Sequence, residues 1–206
     1  MSKQQKNDKD YPTHIAEALD HIEELKLSGE HKKSIAAAEK LLCEDPNCVA
    51  ALEEIADNYV SLDQFDKAEK ACEHALKLNK NSYTAKYIRG FIHSQKQEWD
   101  NAIGYLKSSN ELHSNNPEIL RCLGWAMFNS KKRTQGVVIL ERSLNLDPEN
   151  SLTLCDLGIC YLQTKNFDKS VELLRRAMEI DPDNKRIQEC YNATKGFRDR
   201  YTGMKR

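Results

Sequence analysis

Three stretches, LLCEDPN (41–47), LNLDPEN (144–150) and MEIDPDN (178–184), end alike, and their spacing decides the fold. Their prolines, Pro46, Pro148 and Pro182, are separated by 102 and 34 residues, three periods and one period of 34. Two further copies fit in the gap, so the chain divides into 15–48, 49–82, 83–116, 117–150 and 151–184 without insertion or deletion. A fixed period of this length is the signature of stacked helical repeats. The columns agree. The eighth place of each copy holds Ile22, Ala56, Gly90, Gly124 and Gly158, and the twentieth holds Ser34, Ala68, Ala102, Gly136 and Ser170. Larger residues stand at the eleventh (Leu25, Tyr59, His93, Met127, Tyr161) and seventeenth (His31, Phe65, Trp99, Arg133, Phe167).

Each column has a physical cause. Small residues at the eighth and twentieth places let two helices of one copy approach closely, and the larger ones fill the space between them in helical rhythm. The Asp-Pro-x-Asn ending stops the second helix, because a residue before proline avoids the α region. Overpacking the contact with Leu at Gly124 would cost about 1–3 kcal/mol.

These columns resemble the tetratricopeptide repeat. Leu157 and Gly158, then Tyr161, Phe167, Ser170, Ala177 and Pro182 follow that signature nearly letter for letter, and Leu120, Leu123, Gly124, Leu144 and Pro148 follow it in the fourth copy. The first copy departs, with His21 and Ile22 for the usual Leu-Gly, and so does the third, with Arg89 before Gly90 and Ser114 for the proline. The likeness covers 15–184. It implies an all-α fold, a right-handed α-solenoid of antiparallel helix pairs.

Outside the repeats, residues 1–14 read as a mostly disordered polar tail that ends in Thr13, a candidate N-cap. In 185–206, Ile187, Tyr191, Thr194, Phe197 and Tyr201 recur at helical spacing beside Lys185, Arg186, Arg198 and Arg200. That pattern predicts an amphipathic helix closing the open end of the stack, followed by a basic tail.

Composition narrows the function. The 206 residues carry 31 basic and 32 acidic side chains, a formal charge of -1 that makes no electrostatic case for nucleic acid. No apolar run approaches the roughly 20 residues that span a bilayer, and MSKQQKNDKD has no apolar segment of a secretory signal, so the expected setting is the cytoplasm, without membrane insertion. The seven cysteines are odd in number and lack a CxxC pair, so they read as reduced, mostly buried thiols. Six histidines form neither HExxH nor a zinc-finger spacing, and phosphate-loop and GxSxG sequences are absent. No catalytic, cofactor or metal residues emerge, and a non-enzymatic scaffold or adaptor is expected.

In proteins with these repeats, the second, fifth, ninth, twelfth and thirteenth places line a concave groove. The resemblance therefore implies a peptide- or helix-binding groove containing Glu23, Glu53, Asp57, Tyr87, Phe91, Arg121, Trp125, Phe128, Ile159 and Leu162. Its first part is acidic and the remainder aromatic and aliphatic, which points to a protein or peptide ligand with apolar anchors and a basic flank. Phe91 and Trp125 admit a second reading, as packing between neighbouring repeats. The cationic set with which related cochaperones grip a chaperone's terminal carboxylate is missing from the matching places, and acidic side chains would repel that ligand. A chaperone for a secreted or assembly-prone cargo and a self-assembling homo-oligomer are the alternative functions.

Overall fold

The computed structural model describes residues 11–203, and of the tail expected at 1–14, residues 1–10 lie outside them. Among the described residues there are eleven helices and no strand: α1 (Thr13–Leu27), α2 (His31–Glu44), α3 (Val49–Ser61), α4 (Phe65–Leu78), α5 (Tyr83–Gln95), α6 (Trp99–Leu112), α7 (Pro117–Asn129), α8 (Arg133–Leu146), α9 (Ser151–Gln163), α10 (Phe167–Ile180) and α11 (Lys185–Gly203). From α2 onward, every helix starts 34 residues before the next helix but one. The chain forms two compact units, divided after Ile92 within α5.

The exits of the second helices repeat as regularly as their starts. Asp45, Asn79, His113, Asp147 and Asp181 all leave the helix with φ between −128° and −137° and ψ between 75° and 98°. Proline follows only Asp45, Asp147 and Asp181, so it reinforces this exit without being its cause. The asparagine closing the Asp-Pro-x-Asn stretch has a separate task. Asn150 Oδ1 accepts from the Thr153 amide at 2.9 Å, capping α9. In the third copy, Asn116 caps α7 through the amides of Glu118 and Ile119, with Pro117 in the first helical position. Thr13 differs from expectation. It is already helical, Pro12 precedes it, and no side chain caps α1.

Between the helices of each pair the chain turns through one left-handed residue, at Gly29, Asp63, Gln97, Lys131 and Lys165, again 34 apart. The amide three positions past the end of each first helix bonds back five residues, as Glu30 does to Leu25 O and Asn166 to Tyr161 O, closing the helix in a Schellman turn. Only Gly29 adopts this conformation without a steric penalty.

In unit 1, α1, α2 and α3 enclose Ile15, Ile22, Ala38, Leu41, Ala51 and Ile55, while Leu52, Ala56, Ala68, Cys72, Ile88 and Ile92 continue the core through α3, α4 and α5. In unit 2, Phe128, Leu140, Leu154, Leu157, Leu173, Leu174 and Ile187 form one core from α7 to α11. In unit 1 α1 packs on α2, α2 on α3 and α3 on α4, in unit 2 each helix from α6 to α11 packs on its chain neighbour, and first helices also pack on one another: α1 on α3, α7 on α9, and α9 on α11. This is the architecture of an all-α helical solenoid. Where the helices of a pair cross, the twentieth-place residue lies against the eighth-place carbonyl. Ser34 Oγ donates to Ile22 O at 2.9 Å, and Ser170 Oγ to Gly158 O at 2.6 Å. At Gly136 there is no side chain at all, and a Cβ there would sit 2.6 Å from Gly124 O.

Candidate functional site

The groove residues inferred from the repeat places fall in the two units, and their surroundings differ from what place alone suggests. In unit 1, α3 carries Glu53 and Asp57 one turn apart, and α1 brings Lys26 beside them. Lys26 Nζ lies 2.8 Å from Glu54 Oε2 and 3.0 Å from Asp57 Oδ2. Burial opposes the charge on Lys26, but Asp57 and Glu54 outweigh it and hold its pKa above the ordinary lysine value. Burial also raises Glu54, against the pull of Lys26. Asp57 is therefore half of an internal ion pair. Glu53 Oε1 accepts from Ser82 Oγ at 2.5 Å, which ties it to the start of α5. Glu23 is half-buried on α1. Tyr87 is half-buried and packs on the core of α3, α4 and α5, and Phe91 is half-buried one turn further along α5.

In unit 2 two expectations need correction. Phe128 is only 1% exposed. Its ring belongs to the core with Leu140, Leu154 and Leu157, and the Arg133 guanidinium covers it at 5.7 Å. The glycine crossing of α7 and α8 brings the backbones so close that the last turn of α7 is interior, and burying the ring gains about 2–3 kcal/mol. Phe128 cannot anchor a ligand in this structure.

Arg121 is likewise turned to internal use. Its side chain is 14% exposed, and its Nη1 donates to Asp156 Oδ2 at 2.9 Å. Nε and Nη2 donate to Glu118 at 3.0 and 2.5 Å. Asp156 is 6% exposed, and Arg186 of α11 approaches its other oxygen at 3.8 Å. Burial raises the Asp156 pKa even against the two arginines, whereas burial of Arg121 is outweighed by its acidic neighbours, so its pKa is raised as well. Four charged side chains from α7, α9 and α11 thus join the first helices of unit 2. Arg121 and Asp156 are 35 residues apart, the fifth place of one repeat against the sixth of the next, so the period held a signal for this pair.

Apolar side chains keep some exposed surface on α7 and α9. Trp125 is half-buried, with one side on the core. Ile159 also packs on that core and remains half-buried; Leu162 is half-buried, and Leu152 near the start of α9 is 41% exposed. Among the described residues no group of three or more His, Cys, Asp or Glu side chains could hold a metal, and no helix is long and apolar enough to cross a membrane.

Comparison with known proteins agrees with this architecture. Two family models described as "Tetratricopeptide repeat" match residues 49–82 and 130–191. A curated relative, anaphase-promoting complex subunit 3 of Schizosaccharomyces pombe, is 21% identical over 126 residues. That match takes in 61% of this chain but only 19% of the relative, so the chain corresponds to a small part of that protein. Among solved structures, the APC/C hetero-tetramer Cut9-Hcn1 superposes with a TM-score of 0.80 at 19% identity, over 87% of this chain and 36% of that one. TTC0263 of Thermus thermophilus, a thermophilic TPR protein, gives 0.75 at 15% identity, over 87% and 98%. YrrB, a TPR protein with an unusual peptide-binding site, gives 0.60 at 20% identity, over 85% and 90%.

Proposed function

The chain is a tetratricopeptide repeat protein, and we propose that it serves as a non-enzymatic scaffold that holds an apolar segment of a partner protein against the first helices of its repeats. In this reading 15–184 acts as five repeats and 185–206 as the closing helix and tail. The observation that carries the proposal is the run of half-buried and exposed apolar side chains on α7 and α9, namely Trp125, Leu152, Ile159 and Leu162. Helix surfaces facing water are polar by default, so an apolar run beside Arg121 and Glu118, both already satisfied within the chain, favours contact with another apolar surface. Trp is also the residue type most often found to dominate such contacts. Two of the similar proteins are described in the same terms, one by a peptide-binding site and one by its place in a multi-subunit assembly, which supports a protein ligand.

In unit 1 the acidic side chains ask less of a partner than the repeat places imply. Lys26 neutralises much of Asp57 and Glu54, so among the acidic groove residues Glu23 is the group that favours a basic flank. A reducing cytoplasmic setting suits a protein whose seven cysteines are all unpaired.

The test uses a photo-crosslinking amino acid at Ile159 or Leu162, with Val138, 58% exposed on α8, as the control position. The captured protein is identified by mass spectrometry and then titrated against wild type, Trp125→Ala and Leu162→Ala. Capture from α9 but not from Val138, with affinity reduced about tenfold or more by Trp125→Ala, is the expected result. Equal affinity of both variants and wild type would remove the proposed face.

A further inference from the structure

The first helices of unit 2 pack in a fixed register, and the pair Arg121 and Asp156 displays it. Fifth-place Arg121 of α7 touches sixth-place Asp156 of α9, 35 residues on, at 2.9 Å. Helix α11 begins at Lys185, 34 residues after Ser151 opens α9, so the register extends to it. The corresponding pair is then Cys155 and Cys190. The packing agrees, since Cys190 lies against the core cluster that contains Cys155. In the sequence this is the one fifth-and-sixth-place pairing occupied by two cysteines; the others are Leu19 with Glu54, Glu53 with Ile88, Tyr87 with Cys122, and Arg121 with Asp156.

We propose that Cys155 and Cys190 form a dithiol site that a two-electron oxidant of the hydroperoxide class converts into a disulfide, fastening α11 to α9. The two sulfurs have different roles. Cys190 is half-buried and reached from solvent, whereas Cys155 is 2% exposed. Burial, with Asp156 and Cys190 close by, pushes the Cys155 thiol up to about 12, which keeps it protonated and unreactive alone. Cys190 therefore reacts first. Its thiolate attacks one peroxide oxygen, the O–O bond breaks, and the departing hydroxide takes a proton to leave as water, giving the sulfenic acid of Cys190. The Cys155 sulfur then attacks the Cys190 sulfur as its own proton passes to the departing oxygen. The S–O bond breaks and a second water leaves. Two thiols are oxidised and one peroxide is reduced to two waters; a dithiol reductant reverses the change by exchange. The link would close a loop of chain through α10 and hold the last helix in place.

The experiment uses the full chain, reduced and then treated with one equivalent of hydrogen peroxide, blocked with N-ethylmaleimide and digested with trypsin. The expected product joins peptide 143–165 to peptide 187–195. Fragment ions place the link at Cys155. It persists in Cys160→Ser and Cys43→Ser, is lost in Cys190→Ser, and disappears from wild type after dithiothreitol. Oxidation should also slow amide exchange across 188–198 by about tenfold or more, reversibly. Oxidation that goes only to Cys43-linked dimers or to sulfinic acid at Cys190 would overturn the proposal, as would a linked product whose α11 exchange is unchanged.

Discussion

Replacing Gly136 with alanine tests whether the crossing of α7 and α8 is set by contact between backbones. A Cβ at this position would lie 2.6 Å from Gly124 O, 2.6 Å from Phe128 N and 2.8 Å from Phe128 Cα. None of these atoms can rotate away, because all belong to the backbone of α7. Ordinary contact begins at 3.4 Å, so the helices must separate by roughly 0.6–0.8 Å (3.4 less 2.8 and 2.6), loosening Phe128 and Leu140 as they do. Overpacking of this kind costs about 1–3 kcal/mol. Alanine recovers about 1 kcal/mol of helix propensity over glycine, and because the clash is with backbone we expect the upper part of the range, a net loss of about 1–2 kcal/mol. Gly104, within α6 of the same unit, is the internal control. Nothing lies within 4 Å of a Cβ built there, so Gly104→Ala should gain about 1 kcal/mol from propensity alone. Followed by circular dichroism at 222 nm, the variants should melt on opposite sides of wild type, about 4–12 °C apart. A Gly136→Ala midpoint equal to or above that of wild type would refute the backbone-contact argument.

Two further outcomes follow from the buried charges and thiols. Arg121→Met leaves Asp156 buried with only Arg186, at 3.8 Å, as a cation, and should cost about 3–5 kcal/mol in urea unfolding. Adding Asp156→Leu should recover most of that loss, and a double variant no more stable than the single one would show that the pair is not an isolated buried charge couple. Burial pushes the Cys72 thiol from 9.0 up to about 12. The native state therefore keeps a proton that the unfolded chain gives up, so this contribution to stability is fully present below about pH 9 and falls by about 1.4 kcal/mol per pH unit on the way to 12. The stability difference between wild type and Cys72→Ala, measured by urea unfolding, should shrink over that interval. A difference independent of pH would show the thiol to be solvated.

The 34-residue columns were enough to establish that this chain is a stack of helix pairs, because each repeat must present the same small and large residues to its neighbours. Gly124, Gly136 and Ser170 mark helix crossings that any reading of the period finds. The binding face was only partly legible. Ile159, Leu162 and Trp125 keep surface to offer, whereas Phe128 is interior and Arg121 is held by Glu118 and Asp156. A place in a repeat fixes the angle at which a side chain leaves its helix. It does not fix how near the next helix comes, and that distance depends on what opposes it, here Gly136 against the end of α7. The same holds for charge: Asp57 and Glu54 are acidic in the sequence, but whether they face a partner depended on Lys26 reaching them from another helix. Periodicity is a local property that the chain carries along its length, while burial and ion pairing arise only when separate helices share the same space.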